Sequence, residues 1–137
     1  MAWVPPDVGA RAARTRTFTA DDVDGFARIS GDRNPLHFDP GFAARTRFGR
    51  LVVQGGLTAG LFNAVVAMDL PGPGSVFLHQ EWDYPAPVFV GDTVTAEVEV
   101  VEARADKPIT RLRCVARRDD GTEVLRGDCL VYTMQPG

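Results

Sequence analysis

The sequence holds two cysteines, two histidines and a single lysine, Lys107. Cys114 and Cys129 make neither a disulfide framework nor a zinc site, so no structural metal or cross-link is expected. No apolar run is long enough for a bilayer, since the longest, around Leu61 to Met68, is interrupted by Asn63. The N-terminal residues lack the apolar segment of a signal peptide. Fifteen Lys and Arg stand against 18 Asp and Glu, a net charge of −3 with no basic block, which excludes the footprint of a nucleic-acid binder. These absences leave 137 residues, 45% of them hydrophobic, enough for one domain with a real core, expected in the cytoplasm.

Residues 1–13 read as a flexible arm, because Pro5, Pro6 and Gly9 block regular structure, and residues 14–137 read as the folded domain. A first helix is expected from Ala20 to Ser30. Thr19 is its N-cap, Asp21 and Asp22 suit its positive end, and Phe18 can staple onto Val23. Val23, Phe26, Ala27 and Ile29 form its apolar stripe. Residues 31–56 form a long loop with one short helix near Gly41 to Arg45, and loops of that length are usually functional.

A second helix is expected from Gly56 to Asp69, stopped by Pro71 and apolar almost all the way round, as befits the middle of a fold. Four strands follow: Ser75 to Asp83, Asp92 to Ala103, Ile109 to Arg118 and Glu123 to Met134. In the second of them Val94, Ala96, Val98 and Val100 alternate with polar residues, and Asp120-Gly121 marks a hairpin turn. Strands without crossover helices pair antiparallel. The expected class is α+β, a sheet curled around the apolar helix.

The segment Ser30-Gly31-Asp32-Arg33-Asn34-Pro35-Leu36-His37 joins a carboxylate, a carboxamide and an imidazole within six residues. In a folded-back loop Asp32 and His37 can hold a water between them, one group deprotonating it while the other exchanges a proton with a substrate. Asn34 is placed to support the loop by hydrogen bonds. Read singly, Asp32 and Asn34 would be ordinary turn residues and His37 an edge residue; their grouping ahead of an apolar helix argues for chemistry.

Val52-Val53-Gln54-Gly55-Gly56 then runs into the second helix. Amides at a helix start lack intrahelical partners, and glycine lets a ligand oxygen approach them, as a thioester carbonyl would. The spacing Gly55-Gly56-x-x-x-Gly60 fits neither a dinucleotide fingerprint nor a P-loop.

GDRNPLHFDPGFA, then RFGRLVVQGGLTAGLF and PVFVGDTVTAEVEV, together resemble the MaoC-like family of (R)-specific enoyl-CoA hydratases across roughly residues 14–134. The resemblance implies a hotdog fold and reversible hydration of a trans-2-enoyl-CoA thioester. It implies Asp32 and His37 as the catalytic pair, Gly55 as the amide that polarises the thioester carbonyl, and Asn34 in support. No cofactor is implied, coenzyme A being part of the substrate, and the expected assembly is a homodimer. Gln54 stands where many members carry His, and Gly60 and Asn63 where serines are common. The Asn63 side chain needs a polar partner, and the active site is the expected one.

Two other activities suit the same fold: acyl-CoA thioester hydrolysis, and non-catalytic binding of acyl thioesters in a hetero-oligomer. His79 is expected on a strand face with Glu81 and Asp83, opposite Leu78 and Trp82, and away from the chemistry. Cys114 and Cys129 are expected as small core residues on one face of the last hairpin. Arg45, Arg47, Arg50, Arg111 and Arg113 are the candidates for contact with coenzyme A phosphates, and the sequence does not choose among them.

Overall fold

The computed structural model describes residues 2–137. Five strands form one antiparallel sheet in the order β1-β3-β4-β5-β2. The strands are β1 (Arg11–Thr17), β2 (Ser75–Asp83), β3 (Thr93–Ala103), β4 (Ile109–Arg118) and β5 (Glu123–Thr133). Between β1 and β2 come the helices α1 (Ala20–Ser30), α2 (Pro35–Phe38), α3 (Pro40–Ala44) and α4 (Gly55–Ala64), the last extended by a π-helical turn, Val65–Asp69.

The inward-facing residues alternate as the patterning requires. Val94, Ala96, Val98 and Val100 of β3 are buried, as are Leu112, Cys114 and Ala116 of β4 and Leu125, Cys129 and Val131 of β5. Phe62, Val65 and Val66 of the central helix pack into that layer, and Phe62 stacks on Trp82 with ring centroids 5.3 Å apart. Burying a side chain the size of phenylalanine contributes about 1.5–3 kcal/mol. The sheet wrapped on one long helix is the hotdog arrangement.

Several local expectations hold. Thr19 caps α1 in a full capping box with Asp22, while Phe18 and Val23 are both buried. The β4–β5 hairpin sets Cys114 opposite Gly127, and the two sulfurs lie 3.7 Å apart as free thiols inside the core.

Others need correction. The stretch expected to be a loose arm is attached: β1 begins at Arg11 and pairs with β3, the Gly9 amide donates to the Val100 carbonyl, and Trp3 Nε1 donates to the Arg104 carbonyl. Its Arg, Ala and Thr residues hide a strand because only Ala12, with Ala10 just before it, packs against the core. Ile29 lies outside the α1 stripe, fully on the solvent side.

In β2 the register shifts between Phe77 and His79. Leu78 occupies the irregularity and is exposed, so Phe77 and Trp82, five residues apart, share the inner face. A simple two-residue alternation assigned Leu78 to that face, because it has no place for an extra residue.

The central helix is also less enclosed than its composition predicts. The sheet covers one side, and Gly55, Gly56, Gly60, Asn63 and Met68 remain exposed on the other. No helix is long and apolar enough to cross a membrane.

Candidate active site

The loop after α1 is shaped by successive short turns. Gly31 ends the helix in the left-handed region, φ +81°. The Asp32 amide donates to Ser30 Oγ, the Asn34 amide to Asp32 Oδ1, and the Leu36 amide to Asn34 Oδ1. Asn34 thereby caps α2, with Pro35 at the first helical position where a missing N–H costs nothing. This one-turn helix reverses the chain and brings His37 back over Asp32.

His37 Nε2 lies 3.6 Å from Asp32 Oδ2. The imidazole is nearly enclosed, its side chain 9% exposed, whereas Asp32 is 41% exposed at the rim. His37 Nδ1 sits 2.7 Å from the Val52 carbonyl oxygen. A carbonyl only accepts, so Nδ1 carries the proton and Nε2 of the neutral ring presents a lone pair. The Val52 amide in turn donates to the Leu36 carbonyl, fastening the two loop limbs to each other.

His37, Val52, Val53, Gly55, Thr58 and Tyr84 line one cavity of about 330 Å³, with Arg47 and Phe48 also in its wall. Gly55 opens α4, so its amide and that of Gly56 have no intrahelical acceptor and point from the positive end of the dipole. The Tyr84 ring covers this point so closely that a Cβ on Gly55 would lie 3.0 Å from its Cε1. Partial desolvation raises the Tyr84 phenol above its ordinary value.

Of the expected site residues, His37 and Gly55 line one cavity, and Asp32 faces His37 from outside that lining. Asn34 holds the loop from α2 rather than reaching into the cavity. Gln54 is buried beside it, donating from Nε2 to the Val23 carbonyl and so tying the start of α4 to α1. Asn63 departs from expectation, being exposed on the open side of α4 and outside the lining of this cavity. His79 is exposed and bonds Glu81 Oε1 at 3.0 Å, remote from the site as expected.

Sequence reasoning missed Tyr84 and Thr58. Thr58 carries a legible signal, a polar residue one turn beyond Gly55 on an apolar helix. Tyr84 carries none, since only the folded chain lays it over a glycine.

The arrangement can place a water between a carboxylate and an imidazole, beside free amides suited to a developing oxyanion. Proteins built alike are known. The chain is 46% identical over 125 residues to an (R)-specific enoyl-CoA hydratase of Aeromonas caviae, spanning 91% of this chain and 93% of that protein. It is 43% identical to a 3-hydroxybutyryl-CoA dehydratase of Methylorubrum extorquens, spanning 91% of this chain and 79% of that one. The solved structure of an (R)-hydratase from A. caviae superposes with a TM-score of 0.90 at 44% identity, covering 94% of this chain and 98% of its own. The MaoC like domain matches residues 5–124, and the chain belongs to the MaoC-like dehydratase family.

Proposed function

We propose that the protein hydrates trans-2-enoyl-CoA thioesters to (R)-3-hydroxyacyl-CoA, and dehydrates them in reverse. The observation that carries this reading is the facing of His37 Nε2 and Asp32 Oδ2 across 3.6 Å, with His37 lining the same cavity as Gly55. The (R) hand rests on the hydratases to which the chain is similar.

The thioester carbonyl oxygen accepts from the Gly55 amide, which draws charge from the conjugated double bond and makes C3 electrophilic. A water lying between Asp32 and His37 loses one proton to the pair as its oxygen bonds C3. The C2–C3 π electrons move to an enolate held on the Gly55 amide, and C2 then takes a proton from the pair. Nδ1 is committed to the Val52 carbonyl, so proton exchange with the substrate runs through Nε2 and the carboxylate. The proton that reaches C2 is the one the water lost, so both additions occur on one face of the substrate. Only protons and water move, and the reaction calls for no metal or redox cofactor.

The assembly that suits this reading is a homodimer in the cytoplasm. Edge strand β1 is lined with Arg11, Arg14 and Arg16, which discourages pairing. Edge strand β2 instead exposes Val76 and Leu78, and Met68 and Met134 are exposed as well. A second copy on this side would wall the substrate channel and give Asn63 a partner.

The test is a short enoyl-CoA followed for both the conjugated double bond and free thiol. Loss of the double bond without thiol release is expected. Thiol release would make the protein a thioesterase, and no change across several chain lengths would make it a binding subunit.

A further inference from the structure

Most arginines of this chain are committed to carboxylates: Arg14 to Asp69, Arg16 to Asp22, Arg104 to Asp106, Arg118 to Asp120. Among the described residues Arg45, Arg47, Arg50, Arg111 and Arg113 make no ion pair. These five divide by position. Arg111 and Arg113 alternate with the buried Thr110, Leu112 and Cys114 of β4, so they stand on the outer face of the sheet, away from α4.

Arg45, Arg47 and Arg50 lie instead on the loop that borders the cavity of His37 and Gly55. That loop is held firmly: Thr46 Oγ1 donates to the Ala43 carbonyl and accepts from the Phe48 amide, and the Gly49 amide donates to the Thr46 carbonyl. Arg47 is itself in the cavity wall. Arg50 sits over the Phe89 ring, its guanidinium carbon 4.0 Å from the centroid, at the edge of a second recess. Stacking fixes the plane of the guanidinium and leaves its N–H edge free to donate. Three carboxylates share that recess, and none of them pairs with Arg50: Asp92 accepts from the Phe89 amide, Asp120 is held by Arg118, and Asp119 makes no ion pair among the described residues.

Unpaired guanidinium groups, pre-ordered at the mouth of a site whose interior is apolar, are the recognition chemistry of a phosphoryl group. We propose that Arg47 and Arg50 bind the phosphate at the far end of the substrate's pantetheine arm. This rests on the thioester reading above and adds the residues that select the carrier. The phosphate could belong to coenzyme A or to the prosthetic arm of a carrier protein, which share this chemistry.

The experiment compares crotonyl-CoA with crotonyl-pantetheine, which lacks every phosphate. For Arg47→Ala and for Arg50→Ala, the preference in kcat/KM for crotonyl-CoA over crotonyl-pantetheine should fall about tenfold, the scale of one lost charge-assisted hydrogen bond. Arg111→Ala, on the outer sheet face, should leave that preference intact. The wild-type preference should also shrink as ionic strength rises. Equal losses on both substrates, or an unchanged preference, would overturn the proposal.

Crotonyl attached to a carrier protein separates the sources: a larger loss there than on crotonyl-CoA assigns the phosphate to the carrier, a smaller one to coenzyme A. If the wild type consumes neither thioester, the hydratase reading falls, and calorimetric titration with coenzyme A alone still decides this point. Weakening by Arg47→Ala but not by Arg111→Ala supports the loop; equal affinity in all three proteins refutes it.

Discussion

His37 Nε2 and Asp32 Oδ2 face each other at 3.6 Å, beyond a direct hydrogen bond. With Nδ1 the protonated nitrogen, Nε2 and the carboxylate oxygen can both accept, so a water beside the pair can donate to each. Asp32→Asn turns one acceptor into a donor, and His37→Ala removes the other. Each should lower kcat about 100-fold or more, the range for a lost general acid or base. The double variant should be little worse than either single one, because the two act on one water. Steady-state kinetics beside urea midpoints checks this; near-normal turnover in either variant would remove that residue from the chemistry.

Gly55→Ala places a methyl 3.0 Å from the Tyr84 ring and beside the amide proposed to receive the carbonyl. Tyr84 is half exposed and free to swing, so the fold should survive while kcat/KM falls. Tyr84→Ala in the same chain relieves the crowding but leaves the methyl at the amide. If the double variant recovers full activity, crowding by Tyr84 and not approach to the amide is the cause.

Gly127 makes the opposite case. A Cβ there would overlap the Glu81 carbonyl oxygen, in the β2–β5 ladder. No side chain can yield to relieve it, because the obstacle is main chain. Gly127→Ala should cost several kcal/mol through the broken strand pairing, read as a lower denaturant midpoint. A variant of unchanged stability would mean that β2 shifts without loss.

Acid should unfold the chain through its depressed carboxyls. The Arg16 guanidinium and the Thr19 amide hold Asp22 below its ordinary range. The Thr122 amide and Arg118 bring Asp120 from 3.8 down to about 2. Each binds its proton more weakly folded than unfolded, so the stability it contributes is whole above the ordinary carboxyl range and is lost as pH falls toward the folded-state value. Asp22→Asn should flatten that acid limb and lower stability at neutral pH. Melting curves from pH 2 to pH 7 read both effects.

Cys114 and Cys129 should resist thiol reagents until the chain unfolds. The Cys114 thiol is pushed far up by its contact with Cys129 and by burial, and neither sulfur reaches solvent. Labelling in buffer at a rate faster than global unfolding would contradict this.

The elements that pack on one face were legible because their periodicity is uninterrupted. The β3 alternation, the Thr19 cap and the Asp120-Gly121 turn are each encoded within a few neighbouring residues. The Asp32–His37 pair was legible as a cluster, but its closure depends on α2, a single turn too short to show a period. Features set by distant chain were hidden. Strand β1 is defined by its partner β3, the irregularity at Leu78 by pairing with β5, and the lid of Tyr84 by its approach to Gly55. Asn63 reads as a site residue on composition, yet one copy of the chain leaves it outside the cavity lining.

The Val52 carbonyl that fixes the His37 proton belongs to the main chain. No side-chain substitution at position 52 deletes it, so an alanine scan would pass over the group that decides which imidazole nitrogen faces the reaction. The tautomer of His37 is therefore inherited with the loop's path and not with any residue type.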